Sequence, residues 1–154
     1  MRVHEIMVRE VASCRPQDAM SEAARIMWDH DCGVVPVTDD DGRLCGVITD
    51  RDLCMACLTQ GIPLHQLTVA QAMTPDPVIC GPDQDVSALC QAMRERQVRR
   101  IPVVDEDQRL VGIVSLCDLT RRASVSEGRG AQPMRAEVFD TLAAVVTPRA
   151  TTPV

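Results

Sequence analysis

Apolar positions recur along this chain with two periods. Val86, Leu89, Cys90 and Met93 fall at i, i+3, i+4 and i+7, the stripe of an amphipathic helix, and Met20, Ala23, Ala24 and Met27 form a matching stripe earlier. Each stripe is followed by a short apolar run, Val34-Val35-Pro36-Val37 or Ile101-Pro102-Val103-Val104. A polar turn comes next, Asp39-Asp40-Asp41-Gly42 or Asp105-Glu106-Asp107-Gln108, then a second run, Gly46-Val47-Ile48 or Gly112-Ile113-Val114. Two such runs about a turn predict a hairpin. The proline in the first run predicts an edge position or a bulge, because it has no N–H to give a ladder. Asp85 stands where it can cap the later helix. Thr49 or Ser115 opens a second helix, and an extended segment around Val11-Ala12 or Val78-Ile79 precedes each unit.

The pattern is a duplication. Shifted by 66 positions, residues 7–53 lie on 73–119 without a gap, and 14 of the 47 pairs are identical. The prolines and glycines fall in register: Pro16/Pro82, Pro36/Pro102 and Gly46/Gly112. Repeat 1 is read over 3–62 and repeat 2 over 69–122. Residues 123–132 read as a flexible linker. Residues 133–147 read as a C-terminal helix opened by Pro133, with Met134, Val138, Leu142 and Val145 on one stripe, and 148–154 as a frayed tail. One repeat is too small to cover both faces of so short a sheet. The fold class expected is therefore α/β (α+β): two pseudo-symmetric repeats, each extended segment–helix–strand–strand–helix, packed sheet to sheet with helices outside, plus a C-terminal helix. Two related clefts lie between them.

Composition narrows the chemistry. The chain of 154 residues has one Trp, one Phe and no Tyr, so it lacks the stacking platforms that bind single-stranded nucleic acid. Its net charge of -6 does not suit a phosphate-backbone binder. No run approaches the length of a membrane span, and the start lacks the apolar core of a secretion signal, so a cytoplasmic protein is expected. Its eight cysteines then read as reduced thiols that pack as small hydrophobes. Cys54-Met55-Ala56-Cys57 is one C-x-x-C without a second pair, so no metal site is assigned, and the pair is read as packing on its helix. Arg94 and Arg96 read as a solvated helix end. The aspartate run 39–41 reads as a turn.

The sharpest motifs are the two strand-to-helix corners, Thr49-Asp50-Arg51-Asp52 and Ser115-Leu116-Cys117-Asp118. A hydroxyl residue with an acid three positions on is a capping box, which needs no ligand. The same groups can also grip a diol, while the helix N-terminus favours an anion. A ribose phosphate offers both. No nucleophile–base pair can be argued from spacing, so no catalytic residue is assigned and no enzyme is expected.

On these residues the repeat resembles the cystathionine β-synthase (CBS) domain, and the tandem pair resembles a Bateman module of the stand-alone bacterial type. The motifs that carry the likeness are the helix ending in Met27 or Met93, the Val/Ile-Pro-Val strand, the Arg-Leu-x-Gly turn and the Thr/Ser-x-x-Asp corner. The likeness covers about residues 3–122. It implies an adenosine-type ligand: AMP, ADP or ATP, or in some members S-adenosylmethionine, NAD or a cyclic dinucleotide. It implies that Asp118 takes the ribose hydroxyls, that Ser115 and Cys117 support ribose or phosphate, and that Arg100, with Arg99 beside it, meets the phosphate. The base would lie near Ala12, Cys32 and Gly33. The second cleft would join Thr49 and Asp52 with Val78, Val98 and Arg99, and with Val34 where repeat 2 has Arg100. Val34 cannot bind phosphate, and Arg51 compensates only if it turns inward, so unequal clefts are expected.

The leading expectation is thus a regulatory module that senses adenine nucleotides, works as a homodimer and is read by an effector protein the sequence does not identify. The alternatives are a structural or stress-related dimeric interaction protein with vestigial clefts, and a thiol or metal sensor.

Overall fold

The structure, a computed structural model, describes residues 1–128 and 130–148. Repeat 1 contains helix α1 (Met20–Asp29), strands β1 (Val34–Thr38) and β2 (Leu44–Thr49), and helix α2 (Asp50–Gln60). A two-residue strand β3 (Thr74–Pro75) follows. Repeat 2 contains α3 (Val86–Arg96), β4 (Arg100–Val104), β5 (Leu110–Ser115) and α4 (Leu116–Val125), and α5 (Ala131–Val146) ends the described chain. The α+β class and the duplication are those read from the sequence.

The hairpins form in matching register, with Pro36 opposite Val47 and Pro102 opposite Ile113. Each has an irregularity after the proline strand's valine, at Val37/Thr38 and Val103/Val104. On the outer side of each proline strand lies a one-residue parallel bridge, Cys14 to Val37 and Cys80 to Val103. The proline carbonyls accept the amides of Cys14 and Cys80, both at 3.1 Å. A residue without an N–H is tolerated there because its strand has only this single-bridge neighbour.

The repeats exchange their leading segments. Thr74-Pro75, in the part of repeat 2 that leads into α3, pairs with Val47 and Gly46 of β2. Val8, in the part of repeat 1 that leads into α1, pairs with Ile113 of β5. The short 3-10 helices of these leaders are exchanged too. Val69 and Ala70 donate to the carbonyls of Asp18 and Pro16 ahead of α1, and Val3 and His4 donate to Gln84 and Pro82 ahead of α3. Close approach of an exchanged strand requires a residue without Cβ. A Cβ on Gly46 would lie 2.7 Å from the Thr74 carbonyl oxygen, and one on Gly112 would lie 2.9 Å from that of Val8.

Burial follows the exchange. One core joins Met20, Met27, Val35, Val37 and Ile48 to Leu67 and Val69 of the second leader. The other joins Leu89, Met93, Ile101, Val103 and Leu119 to Val3 of the first leader. The buried residues thus form two clusters, one per repeat. Each is completed by the other repeat's leader, and a fully buried Leu or Val contributes about 1.5–3 kcal/mol there. The lobes also meet at their hairpin tips. Leu44 donates to the Gln108 carbonyl and Leu110 to that of Gly42, both at 3.0 Å, with Arg43 opposite Arg109 on the pseudo-twofold axis.

Several local expectations change. Asp85 sits at the N-cap of α3 but makes no capping bond; its carboxylate pairs instead with Arg2 at 3.2 Å. The expected linker 123–132 is shorter, because α4 continues to Val125 and α5 begins at Ala131, two residues before Pro133. Arg135 holds this corner by donating to the carbonyls of Ala123 and Ser126 at the end of α4. Pro133 falls in the first turn of α5, where its missing N–H is not needed. The expected tail lies outside the described residues from 149 onward. Helix α5 packs chiefly on α3 and α4, burying Val138, Thr141 and Val145. Arg94 is not a solvated end: it donates to Thr141 Oγ1 at 2.9 Å.

Candidate functional site

Both corners fold as capping boxes. Thr49 Oγ1 accepts from the Asp52 amide, and Asp52 Oδ2 accepts from the Thr49 amide at 2.8 Å and hydroxyl at 2.7 Å. Ser115 and Asp118 repeat this, with Asp118 Oδ2 2.9 Å from the Ser115 amide and 2.5 Å from its hydroxyl. The cap consumes one carboxylate oxygen of each aspartate and leaves the other, Oδ1, to face outward chemistry. At Asp118 that oxygen meets Arg121 Nη2 at 3.3 Å. At Asp52 the residue three positions on is Met55, and among the described residues nothing bonds Oδ1.

The hairpin register adds a second group to each corner. Arg100 lies directly opposite Ser115, and Val34 directly opposite Thr49. The strand entry is tied to the helix start in both repeats. Asp50 N donates to Gly33 O at 3.2 Å, and Leu116 N donates to Arg99 O at 2.9 Å. The structure thus gathers Arg99, Arg100, Ser115 and Asp118 at one corner, and Gly33, Val34, Thr49 and Asp52 at the other. Ala12 lies on the connection from β5, left at Val8, to β1, met at Cys14; Val78 lies on the equivalent connection from β2 to β4.

Of the thirteen candidates, Ala12, Cys32, Gly33, Val34, Thr49, Asp52, Val78, Val98, Arg100, Ser115 and Asp118 are half-buried. Arg99 and Cys117 are exposed, as is Arg51. Half-burial suits groups that line a groove. One recess of about 210 Å³ is lined by Asp52, Met55 and Ala56 of α2 with Gln71 and Ala72 of the second leader. Another of about 600 Å³ is lined by Cys32, Gly33 and Asp50 with Met27, Trp28 and Asp31. Neither of these two includes Asp118 or Arg100. The Asp50 carboxylate stands against Gly33, where a Cβ would lie 2.8 Å from its oxygen. Sequence reasoning missed Arg121, although an acid–Arg pair at i, i+3 on a helix is a readable signal. It also missed Asp50 and Gln71, which only the folded contacts bring in.

The thiols divide by burial. Cys14 and Cys80 are buried, and desolvation pushes their pKa values up to about 11 and about 12, so they stay protonated at neutral pH. Cys90 is buried and raised for the same reason. Cys54 is exposed and Cys57 half-buried, which corrects the reading of Cys54 as a packing residue. Among the described residues no group of three or more His, Cys, Asp or Glu side chains is disposed to hold a metal ion. The aspartate turns are structural: Asp39 Oδ1 accepts from the amides of Asp41 and Arg43, and Asp105 Oδ1 from those of Asp107 and Arg109. No helix among the described residues is long and apolar enough to cross a membrane.

Comparison with known proteins is consistent with this geometry. The CBS domain family model matches residues 3–59 and again 69–124. By sequence the chain is similar to the CBS domain-containing protein YhcV of Bacillus subtilis, 35% identical over 128 residues that span 83% of this chain and 89% of that protein. Relatives that carry enzyme names are matched over 23% of their own length. Three solved structures are similar. The CBS domain pair of protein MJ0100 in complex with 5'-methylthioadenosine and S-adenosyl-L-methionine has a TM-score of 0.73 at 27% identity, covering 80% of this chain and 96% of that one. CBSX2 in complex with AMP has a TM-score of 0.69 at 26% identity, with coverage of 80% and 96%. Hypoxic Response Protein I with two coordinated zinc ions has a TM-score of 0.71 at 32% identity, with coverage of 79% and 98%.

Proposed function

The chain belongs to the CBS domain family, and from that premise we propose that it is a regulatory module that senses adenine nucleotides in the clefts between its repeats. The observation that carries this reading is the corner where Arg100 lies across the hairpin from Ser115, one turn from Asp118. A cation, a hydroxyl and a carboxylate oxygen beyond the cap's needs meet at a helix N-terminus. That set matches a ribose phosphate. The ligands of the MJ0100 and CBSX2 structures are adenosine compounds, which favours the same class here.

In this reading Asp118 and Asp52 offer Oδ1 to vicinal ribose hydroxyls, and Ser115, Arg100, Arg99 and Cys117 receive the phosphate side. Ala12, Cys32 and Gly33 border the base of the first cleft; Val34, Val78 and Val98 border the second. The second cleft, with Val34, takes nucleosides less dependent on a phosphate. Binding shifts the placement of the repeats through unequal affinity for two arrangements, and an effector protein reads that shift from a homodimer. A thermal-shift series with AMP, ADP, ATP and S-adenosylmethionine tests this. A ligand that binds only the folded chain at 100 times its Kd stabilises by about 2.7 kcal/mol. No shift with any of the four at millimolar concentration overturns it.

The completed capping boxes, together with Arg121 on Asp118, favour a second reading in which the clefts are vestigial and the chain is an interaction protein. Mass spectrometry of small molecules released from purified protein separates the two: a co-purifying adenosine compound excludes the second.

A further inference from the structure

Asp118 has fewer acceptor positions than a diol and Arg121 together require. An ionised carboxylate offers about four, two on each oxygen. Oδ2 spends both of its own on the Ser115 amide and hydroxyl. Oδ1 has two, and Arg121 Nη2 takes one of them at 3.3 Å. Vicinal ribose hydroxyls need both. A diol therefore binds Oδ1 only by displacing Arg121, whereas a sugar with a single hydroxyl there fits beside it.

The twin corner makes no such demand. Asp52 Oδ2 is spent in the same way on the Thr49 amide and hydroxyl. The residue three positions on is Met55, and a recess of about 210 Å³ opens beside Asp52, Met55 and Ala56. The matching positions in repeat 2 are Asp118, Arg121 and Arg122. Both helices start from the same capping box, so the two corners differ here in side chains and not in backbone.

Displacement costs little, and the cost falls unequally on ligands. The Arg121 side chain is 75% exposed, so its guanidinium stays hydrated in either position. An exposed pair of this kind shifts an equilibrium by about twofold to fivefold. An uncharged nucleoside breaks the pair and returns nothing. A nucleoside phosphate breaks it and supplies a new anion for the released guanidinium, which is tethered one turn from the bound sugar.

We propose that Arg121 is a specificity-determining residue of the repeat-2 cleft: it holds Asp118 against uncharged nucleosides and yields it to phosphorylated ones. This deepens the nucleotide reading and rests on it. Arg100 rewards a phosphate, and Arg121 penalises its absence. The repeat-1 cleft, with Val34 and Met55, does neither.

The test is titration calorimetry of the full chain with AMP, adenosine and 2'-deoxyadenosine. Asp52→Ala in every arm removes the repeat-1 clasp, so that repeat 2 is read alone; where that variant does not fold, the same titrations on the native background are fitted to two sites. Arg121→Met gives repeat 2 the residue of repeat 1 and alters an exposed side chain, so circular dichroism and melting should be kept. Adenosine is expected to tighten about twofold to fivefold in Arg121→Met, while 2'-deoxyadenosine stays the same and AMP does not tighten. Added salt screens an exposed pair. It should therefore tighten adenosine when Arg121 is present and leave Arg121→Met unmoved, whereas Arg121→Lys should keep the salt effect. Three ligands that shift together, or none that shifts, would reduce Arg121 to a helix-surface ion pair and overturn the proposal while leaving the sensing reading intact. AMP that tightens as much as adenosine would overturn the handover to phosphate. Failure of all three ligands to bind the unaltered chain overturns the sensing reading and this inference with it.

Discussion

Arg100 stands directly across the β4–β5 hairpin from Ser115, and the same register in repeat 1 sets Val34 opposite Thr49. One substitution in an otherwise parallel frame therefore separates the two corners. A charge-assisted contact to a phosphate oxygen contributes about 1.5–3 kcal/mol. Arg100→Val is expected to weaken AMP about 10- to 100-fold in titration calorimetry while barely changing adenosine. Asp118→Ala is expected to cost more AMP affinity than Asp52→Ala. Equal losses for AMP and adenosine in Arg100→Val, or a larger loss from the Asp52 variant, would refute the ranking.

The tip of the second hairpin holds a strain its twin avoids. Gly42 turns at φ +79, and its counterpart Gln108 adopts φ +63, a left-handed conformation that side chains resist. Gln108→Gly is expected to raise stability by about 0.5–1 kcal/mol in urea denaturation. A destabilised variant would mean that the Gln108 side chain makes a compensating contact.

The exchanged strands depend on their glycines. Gly112→Ala places a methyl against Met7 Sδ and the Val8 carbonyl oxygen, at 2.8 and 2.9 Å before relaxation. Overpacking of this kind costs about 1–3 kcal/mol. Amide exchange should show the loss first at Val8 and Ile113, which donate to each other's carbonyls. Uniform loss across the chain would argue against a local clash.

Alkaline stability should fall through the buried thiols. In the unfolded chain a cysteine ionises near pH 9, whereas folded Cys14 and Cys80 hold their protons to about 11 and about 12. Between those values the folded state binds more protons than the unfolded state, so stability declines as pH rises. The slope is about 1.4 kcal/mol per pH unit for each thiol. Cys14→Ala should flatten the decline between pH 9 and 10.5, measured by urea midpoints. An unchanged slope would assign the decline to other groups.

The duplication, hairpins, helices and caps were legible because each rests on local chemistry: helical period, turn residues, and a hydroxyl three positions from an acid. Pro36 and Pro102 correctly announced strands with little outer pairing. The leader exchange was not legible, since Thr74 and Val8 carry no local mark of which sheet they join. Gly46 and Gly112 were legible only as matching positions of the repeat, and the strand approach that requires them is seen in the fold. Arg94 was misread because its partner, Thr141, comes from a helix 47 positions on. At the corners, Arg100 and Ser115 could be placed from hairpin register alone. Arg121 on Asp118 could have been found from helix spacing, whereas Asp50 against Gly33 needed the folded chain.

Since each leader closes its sibling's sheet, neither half is a complete folding unit. A chain cut between 61 and 66 would yield two fragments, each holding the strand that the other lacks. They should remain clasped after the cut, and separately made fragments should find one another. In the intact chain the covalent link makes that pairing intramolecular, at an effective concentration on the order of millimolar.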